Sequence, residues 1–282
     1  MRILMVGATS SLARALIPAL SRFAEVLTAG RSNCDIQLDL AAPLDAVARL
    51  PQIDVLVNAA ASFASSDPAD IAAIERINAL GTLELCQLCS AAAIPHMVQI
   101  SSIFTTLPAN SPFYSAYALS KRHADELAQL YCDKAGIALT IIRPSQFYGA
   151  GPAYRKHQPF LYALIDQVAN NQDVSIYGSH DAQRNFIHVE DVARLTARAI
   201  EHGLTGNYAC TQLHAVRYSD IIKAAASAFD SRSQMVFMRD KPDIPDNICA
   251  VDDTLFRLLD SYPEIPIEIG MEKEAAYRKS LT

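Results

Sequence analysis

The sequence predicts an α/β protein, a doubly wound parallel sheet with a small C-terminal lobe. Three observations predict it. Short β-like runs alternate with helical stretches through the first half, the pattern of right-handed βαβ crossovers. The strands read as continuous apolar runs, as strands buried on both faces do. After Arg143 the character changes, and Pro144, Gly149, Gly151, Pro152 and Pro159 punctuate an irregular segment. With 282 residues, 51% apolar and 19% charged, the chain can bury a large core and is not expected to be disordered.

The elements follow in order. Residues 3–6 read as a strand, 11–23 as a helix, 25–29 and 36–38 as strands, and 43–50 as helical. A strand at 55–58 precedes a long helix at 71–93. A strand at 97–101 precedes a second long helix at 114–134, and a strand at 138–143 closes the series. Beyond it a helix is expected at 160–170, and the tail after Arg239, rich in Pro and Asp, ends in a charged helix. The expected domains are 1–150, the alternating α/β unit, and 151–282, a second set of elements, with 184–200 returning to the first.

The formal net charge is −6 and no basic stretch clusters, which argues against nucleic acid as a partner. The longest apolar runs fall short of a membrane span. The opening residues read as a buried strand rather than a signal peptide, so a cytoplasmic protein is expected. The six cysteines are irregularly spaced and read as free thiols. Cys86 and Cys89 have C-x-x-C form but lie in an apolar helical stretch, which favours core packing over metal or redox work.

Gly7-Ala8-Thr9-Ser10-Ser11-Leu12-Ala13 follows the first strand and opens a helix, aiming backbone N–H groups and a positive helix end at a pyrophosphate. Ser10 and Ala13 stand where glycines are usual. Ala13 is a mild change. Ser10 is the more serious one, since close backbone approach favours glycine, although its hydroxyl can cap the helix or bond a phosphate. At the end of the second strand no acid is present to hold both ribose hydroxyls. Arg31-Ser32 offers a charge and a hydroxyl for a 2′-phosphate, favouring NADP(H) with NAD possible; the alternative is a solvated surface Arg. Asp39-Leu40 places an acceptor near an adenine amino group. Ala59, Ala60 and Ala61 after Asn58 give a small-residue turn for a ribose and nicotinamide, or a simple tight turn.

Ser102 ends a strand, and Tyr117 and Lys121 follow, four apart on one helix face. A phenol of ordinary pKa about 10 is a poor acid or base at neutral pH, and a neighbouring ammonium favours its phenolate. A serine hydroxyl can steady a developing alkoxide. Together such groups move a proton while a nicotinamide moves a hydride. Asn78, polar in an apolar helix, either serves a relay to Lys121 or bonds a kinked backbone.

On these residues the chain resembles an extended short-chain dehydrogenase/reductase of the nucleotide-sugar epimerase/dehydratase type, over roughly residues 1–210. Ile142-Arg143-Pro144-Ser145-Gln146-Phe147-Tyr148-Gly149 is similar to that family's R-P-x-N-x-Y-G segment. Arg184-Asn185-Phe186-Ile187-His188-Val189-Glu190-Asp191-Val192-Ala193 is similar to its R-D-F-I-H-V-x-D-V-A segment. The resemblance implies a Rossmann-type sheet and a homodimer through a four-helix bundle. It implies that Tyr117 is the acid/base, Lys121 its activator and ribose holder, and Ser102 the carbonyl polariser. Pro144 and Ser145 would flank the nicotinamide, Gln146 would bond a substrate phosphate, and Arg184 would pair with a diphosphate. Asp191 would fix the second lobe, and His188 would be a buried structural His. Ser62, Phe63, Phe104 and Tyr154 complete the expected pocket for a nucleotide sugar.

Departures from the family pattern narrow the reaction. Dehydratases of this type resemble a Thr-Asp-Glu sequence at the serine strand; here Ile103-Phe104 follow Ser102, disfavouring elimination of water. The short second βα unit is similar to sugar-nucleotide 4-ketoreductases. An NADPH-dependent ketoreductase is therefore expected, against a 4-epimerase holding NAD, a reductase of a non-sugar carbonyl, or a non-catalytic dinucleotide sensor.

Overall fold

A computed structural model describes residues 1–44, 50–63 and 67–281. The chain runs β1 (Arg2–Val6), α1 (Ser11–Leu20), β2 (Glu25–Gly30), β3 (Ile36–Gln37), β4 (Val55–Asn58), α2 (Ile71–Glu75), a π-helical turn (Arg76–Leu80), α3 (Gly81–Ala91), β5 (His96–Ile100), α4 (Ala116–Ala135) and β6 (Ala138–Pro144). It continues through β7 (Gln146–Tyr148), α5 (Pro159–Ala169), β8 (Val174–Tyr177), β9 (Gln183–Arg184), β10 (Phe186–His188), α6 (Val189–Glu201) and β11 (Gly206–Cys210). Then come β12 (Val216–Arg217), α7 (Tyr218–Phe229), β13 (Met235–Met238), α8 (Thr254–Leu259) and α9 (Ile267–Lys279). Two compact units result. The first is Met1–Pro144 with Ala193–Cys210 and Thr254–Asp260; the second is Ser145–Val192 with Thr211–Asp253 and Ser261–Thr282.

In the first unit the described residues form a seven-stranded sheet in the order β11-β6-β5-β4-β1-β2-β3. Every pairing is parallel. This is a Rossmann-type sheet. The winding reverses between β1 and β4, and ligands of such sheets bind beyond the carboxyl ends of the strands at that reversal. The core is what the apolar runs predict: Leu4, Val6, Leu56, Leu85, Met97 and Ile141 are buried in one cluster. Cys86, Cys89 and Cys132 lie in the same cluster, with Cys86 Sγ 3.4 Å from Met97 Sδ, so these thiols pack as apolar groups.

The helix expected at 71–93 is α2, the π turn and α3. At the π turn Thr82 Oγ1 donates to the Asn78 carbonyl (2.7 Å). The helix expected at 11–23 stops at Leu20, where Ser21 caps it. Most of the helix expected at 43–50, residues 45–49, lies outside the described residues. In the second unit β7 pairs with β10 and β8 with β13, both parallel, and β9 pairs antiparallel with β12. These strands of two to four residues find partners tens of residues away, so no local period announces them. The charged terminal helix is α9. Among the described residues no helix is long and apolar enough to cross a membrane.

Candidate active site

The turn after β1 is shaped by Gly7. Its φ is +78°, and a Cβ there would lie 2.5 Å from the Ala60 nitrogen. The ends of β1 and β4 therefore close on each other, and a side chain at residue 7 is excluded. Ser10 sits at φ −67°, extended backbone that any residue adopts, and its Oγ accepts from Ala13 N (3.2 Å) as the N-cap of α1. The backbone at position 10 therefore does not itself demand glycine. Ser11 and Leu12 are buried in the first turn of α1, while Thr9 is exposed. The cradle and the helix N-terminus fit a pyrophosphate. Asn58 orders the small-residue turn: its Oδ1 accepts from Ala60 N (3.1 Å), and its Nδ2 donates to Gln99 Oε1 (2.9 Å) and Thr82 Oγ1 (3.2 Å). Ala59 is buried; Ala60 and Ala61 are half-buried.

At the end of β2 Arg31 is exposed. The nearest acid, Asp35, is spent on its own loop, accepting from Thr28 N (2.8 Å) and Thr28 Oγ1 (2.7 Å); those bonds hold its carboxyl below the usual range. Asp39 is exposed and accepts from Ala41 N (3.0 Å), and Leu40 is buried against Gly81 of α3.

Ser102 follows β5 and caps a short 3-10 turn, its Oγ accepting from Phe104 N (3.2 Å). Tyr117 lies in the first turn of α4, which Ser115 caps. Burial pushes the Tyr117 phenol above its ordinary value; a hydrogen bond with the Ser102 side chain pulls it down, and the Asp125 charge adds to the rise. Lys121 is 2% exposed and donates to the Ile100 carbonyl (2.8 Å). Burial lowers its ammonium to about 8, against the opposing effect of Asp125. The three residues thus converge at the carboxyl end of β5, with the lysine held against the strand. Phe63 stacks on the Tyr117 ring, centroids 4.8 Å apart and planes 17° apart.

Asn78 is buried in the π turn. Its Oδ1 accepts from Ser62 N (2.7 Å), and its Nδ2 donates to Ser62 O (2.8 Å) and Ser120 Oγ (2.9 Å). Ser120 Oγ in turn donates to the Tyr117 carbonyl (3.0 Å). Asn78 thus ties the π turn to Ser62, on the loop carrying Phe63, and to Ser120 of α4.

In the second unit Ser145 is buried, and its Oγ has no hydrogen-bond partner among the described residues. Gln146 Nε2 donates to Gln158 Oε1 (3.0 Å), and Gln146 Oε1 accepts from Asn247 Nδ2 (3.2 Å). Arg184 is 7% exposed, donates from Nη1 to the Gln183 and Pro245 carbonyls (2.8 Å each), and stands 5.0 Å over the Tyr218 ring. Asp191 accepts from Glu264 N and Ile265 N, fastening the segment before α9. His188 is buried against Tyr148, ring centroids 5.2 Å apart.

Three participants escaped the sequence reading. Gln158 and Asn247 bracket Gln146, and distance in sequence hid Asn247. Asp125, four residues after Lys121, is buried beside the triad. Its spacing was a usable signal, since an acid repeating the Tyr117–Lys121 interval falls on the same helix face.

The comparisons agree with this architecture. Residues 3–211 match the model of the NAD dependent epimerase/dehydratase family. A dTDP-4-dehydro-6-deoxy-D-allose reductase of Streptomyces bikiniensis is 29% identical over 90 residues, 32% of this chain and 28% of that protein. A putative UDP-glucose 4-epimerase of Methanocaldococcus jannaschii is 29% identical over 134 residues, 44% of each chain. The matched stretches thus span less than half the length of these curated relatives. The structure of RMD from Pseudomonas aeruginosa complexed with NADPH shares the fold, with a TM-score of 0.81 at 20% identity over 100% of this chain and 99% of that one. The match over most of the chain settles its membership: it belongs to the NAD dependent epimerase/dehydratase family.

Proposed function

We propose that this protein is an NADPH-dependent oxidoreductase that reduces a keto group on a nucleotide-activated sugar. The observation that carries the reading is the placement of Ser102 just after β5, with Tyr117 in the first turn of α4 and Lys121 one helical turn on, buried and donating to the Ile100 carbonyl at the end of that strand. Gly7, Thr9, Ser10, Ser11 and Leu12 would hold the cofactor pyrophosphate, Arg31 the 2′-phosphate, Asp39 and Leu40 the adenine, and Ala59, Ala60, Ala61, Pro144 and Ser145 the ribose and nicotinamide. A bound nicotinamide supplies the hydride. Ser102 Oγ donates to the substrate oxygen, Tyr117 delivers the proton to it, and the Lys121 ammonium favours the phenolate left behind. Gln146 and Arg184 bind the phosphates of the substrate.

Engagement of Asp35 with Thr28, and the exposed Arg31, favour NADPH over NADH. Ile103 and Phe104 put no carboxylate after Ser102, which disfavours dehydration. Exposed Leu80 and Leu130, at the π turn and on α4, suit the expected homodimer, which gel filtration would show.

The test is NADPH oxidation by the purified protein with a dTDP-4-keto-6-deoxy sugar. Turnover with NADPH in preference to NADH is expected. Tyr117→Phe should lose about 10²–10⁴-fold in turnover with an unchanged melting temperature. No NADPH oxidation with any 4-keto sugar nucleotide, together with interconversion of two epimers, would overturn the reading in favour of an epimerase.

A further inference from the structure

Asp125 lies one helical turn beyond Lys121 on α4, and the two residues share a face. Both are buried, at 4% and 2% exposed. Asp125 Oδ2 accepts from Ser101 Oγ (2.9 Å) and from Arg143 Nε and Nη2 (2.9 Å each). Its Oδ1 is buried without a hydrogen-bond partner among the described residues. A carboxylate kept out of water in this way requires compensating charge. Arg143 supplies part of it and Lys121 acts in the same direction. The proton-transfer chemistry proposed above makes no use of Asp125.

Other charges on the elements packed against α4 are engaged elsewhere. Glu75 of α2 pairs with His123, Glu84 of α3 bonds Arg76 of the π turn, and Arg122 donates to the carbonyls of Thr105 and Leu107. Lys121 itself meets the Ile100 carbonyl and feels the charge of Asp125, whose own partners are Ser101 at the end of β5 and Arg143 on β6. Asn78 and Ser120 nearby are neutral.

We propose that Asp125 is a positioning residue, a buried carboxylate anchored by Ser101 and Arg143 that keeps Lys121 charged at the Ile100 carbonyl. The physical need follows from desolvation. Burial penalises the ammonium, and the Asp125 charge offsets part of that penalty. Removing Asp125 leaves the buried ammonium without that offset, and Lys121 sheds its proton at lower pH. Removing Arg143 instead leaves the carboxylate uncompensated, and Lys121 keeps its proton to higher pH. The two substitutions therefore move one quantity in opposite directions, which loss of packing would not do.

The decisive measurement is the pH titration of the Lys121 13Cε resonance in lysine-labelled protein, assigned by its loss in Lys121→Met. Asp125→Asn should lower the midpoint by about one pH unit, tenfold in the protonation equilibrium. Arg143→Gln should raise it, and Asp125→Glu should stay near the original. A second arm rests on the oxidoreductase reading: for Asp125→Asn the NADPH dissociation constant should match the parent's at pH 6 and exceed it about threefold at pH 7.5, as the protonated fraction of Lys121 falls. An unmoved midpoint in Asp125→Asn, or a downward one in Arg143→Gln, overturns the proposal; if Asp125→Asn does not fold, Arg143→Gln decides. Opposite shifts in a protein that binds no NADPH leave the proposal standing and overturn the cofactor reading instead.

Discussion

Gly7 and Ser10 lie three residues apart in one turn, and only one of them is constrained by backbone geometry. Gly7 needs a left-handed φ and has the Ala60 backbone against its missing Cβ. Gly7→Ala should cost about 1–3 kcal/mol for the backbone conformation, with the Ala60 contact adding to it, measurable by urea unfolding. It should also weaken NADPH binding. Sequence pattern marked both positions, but Ser10, at a negative φ, meets no backbone strain. Tyr117 and Lys121 were legible because a four-residue interval on a helix is itself a geometric statement. Asp125 sits at the same interval and went unread, since an acid on a helix is ordinarily solvated, and its burial appears only in the fold.

At the scale of elements, α9 fastens the segment that follows β7. Glu274 Oε2 accepts from Gly151 N (2.7 Å), and its Oε1 accepts from Arg278 Nε (2.9 Å). Arg278 also pairs with Asp166 of α5, which pairs with Arg155. Glu274 is 3% exposed, so these bonds are shielded from water. Glu274→Leu should cost about 2–3 kcal/mol in urea unfolding and raise amide exchange across residues 151–158, while Glu274→Gln, which keeps an acceptor, should cost less. A comparable loss in both variants would show that packing, not the acceptor, holds the segment. The sequence announced a charged terminal helix but not its function, because its partners lie more than a hundred residues away. The π turn is similar: a 3.6-residue period predicted one long helix, and periodicity does not announce the π turn at Arg76–Leu80.

At the scale of the whole molecule, buried ionisation links function to stability. Lys121 titrates near 8 in the fold, against an ordinary value near 10.5. The unfolded chain binds the extra proton between those values, so stability should rise as pH climbs from about 8 to 10.5, and the penalty is fully present below 8. Lys121→Met should therefore lack the rise in stability, on the order of 3 kcal/mol, that the parent gains between pH 7 and pH 10.5, so the gap between the two should change by that amount. Urea unfolding at both pH values checks it, and a constant gap would assign the effect to packing. By itself the sequence determined the alternation of elements, the turn after β1, the Ser102–Tyr117–Lys121 set and the family they resemble, because propensity, apolar runs and spacing are local properties. Only the tertiary structure decided the strand order that sets the ends of β1, β4 and β5 side by side, and which charges lie buried there. Strand pairing and desolvation depend on residues distant in the chain, and those distances are set only when it folds.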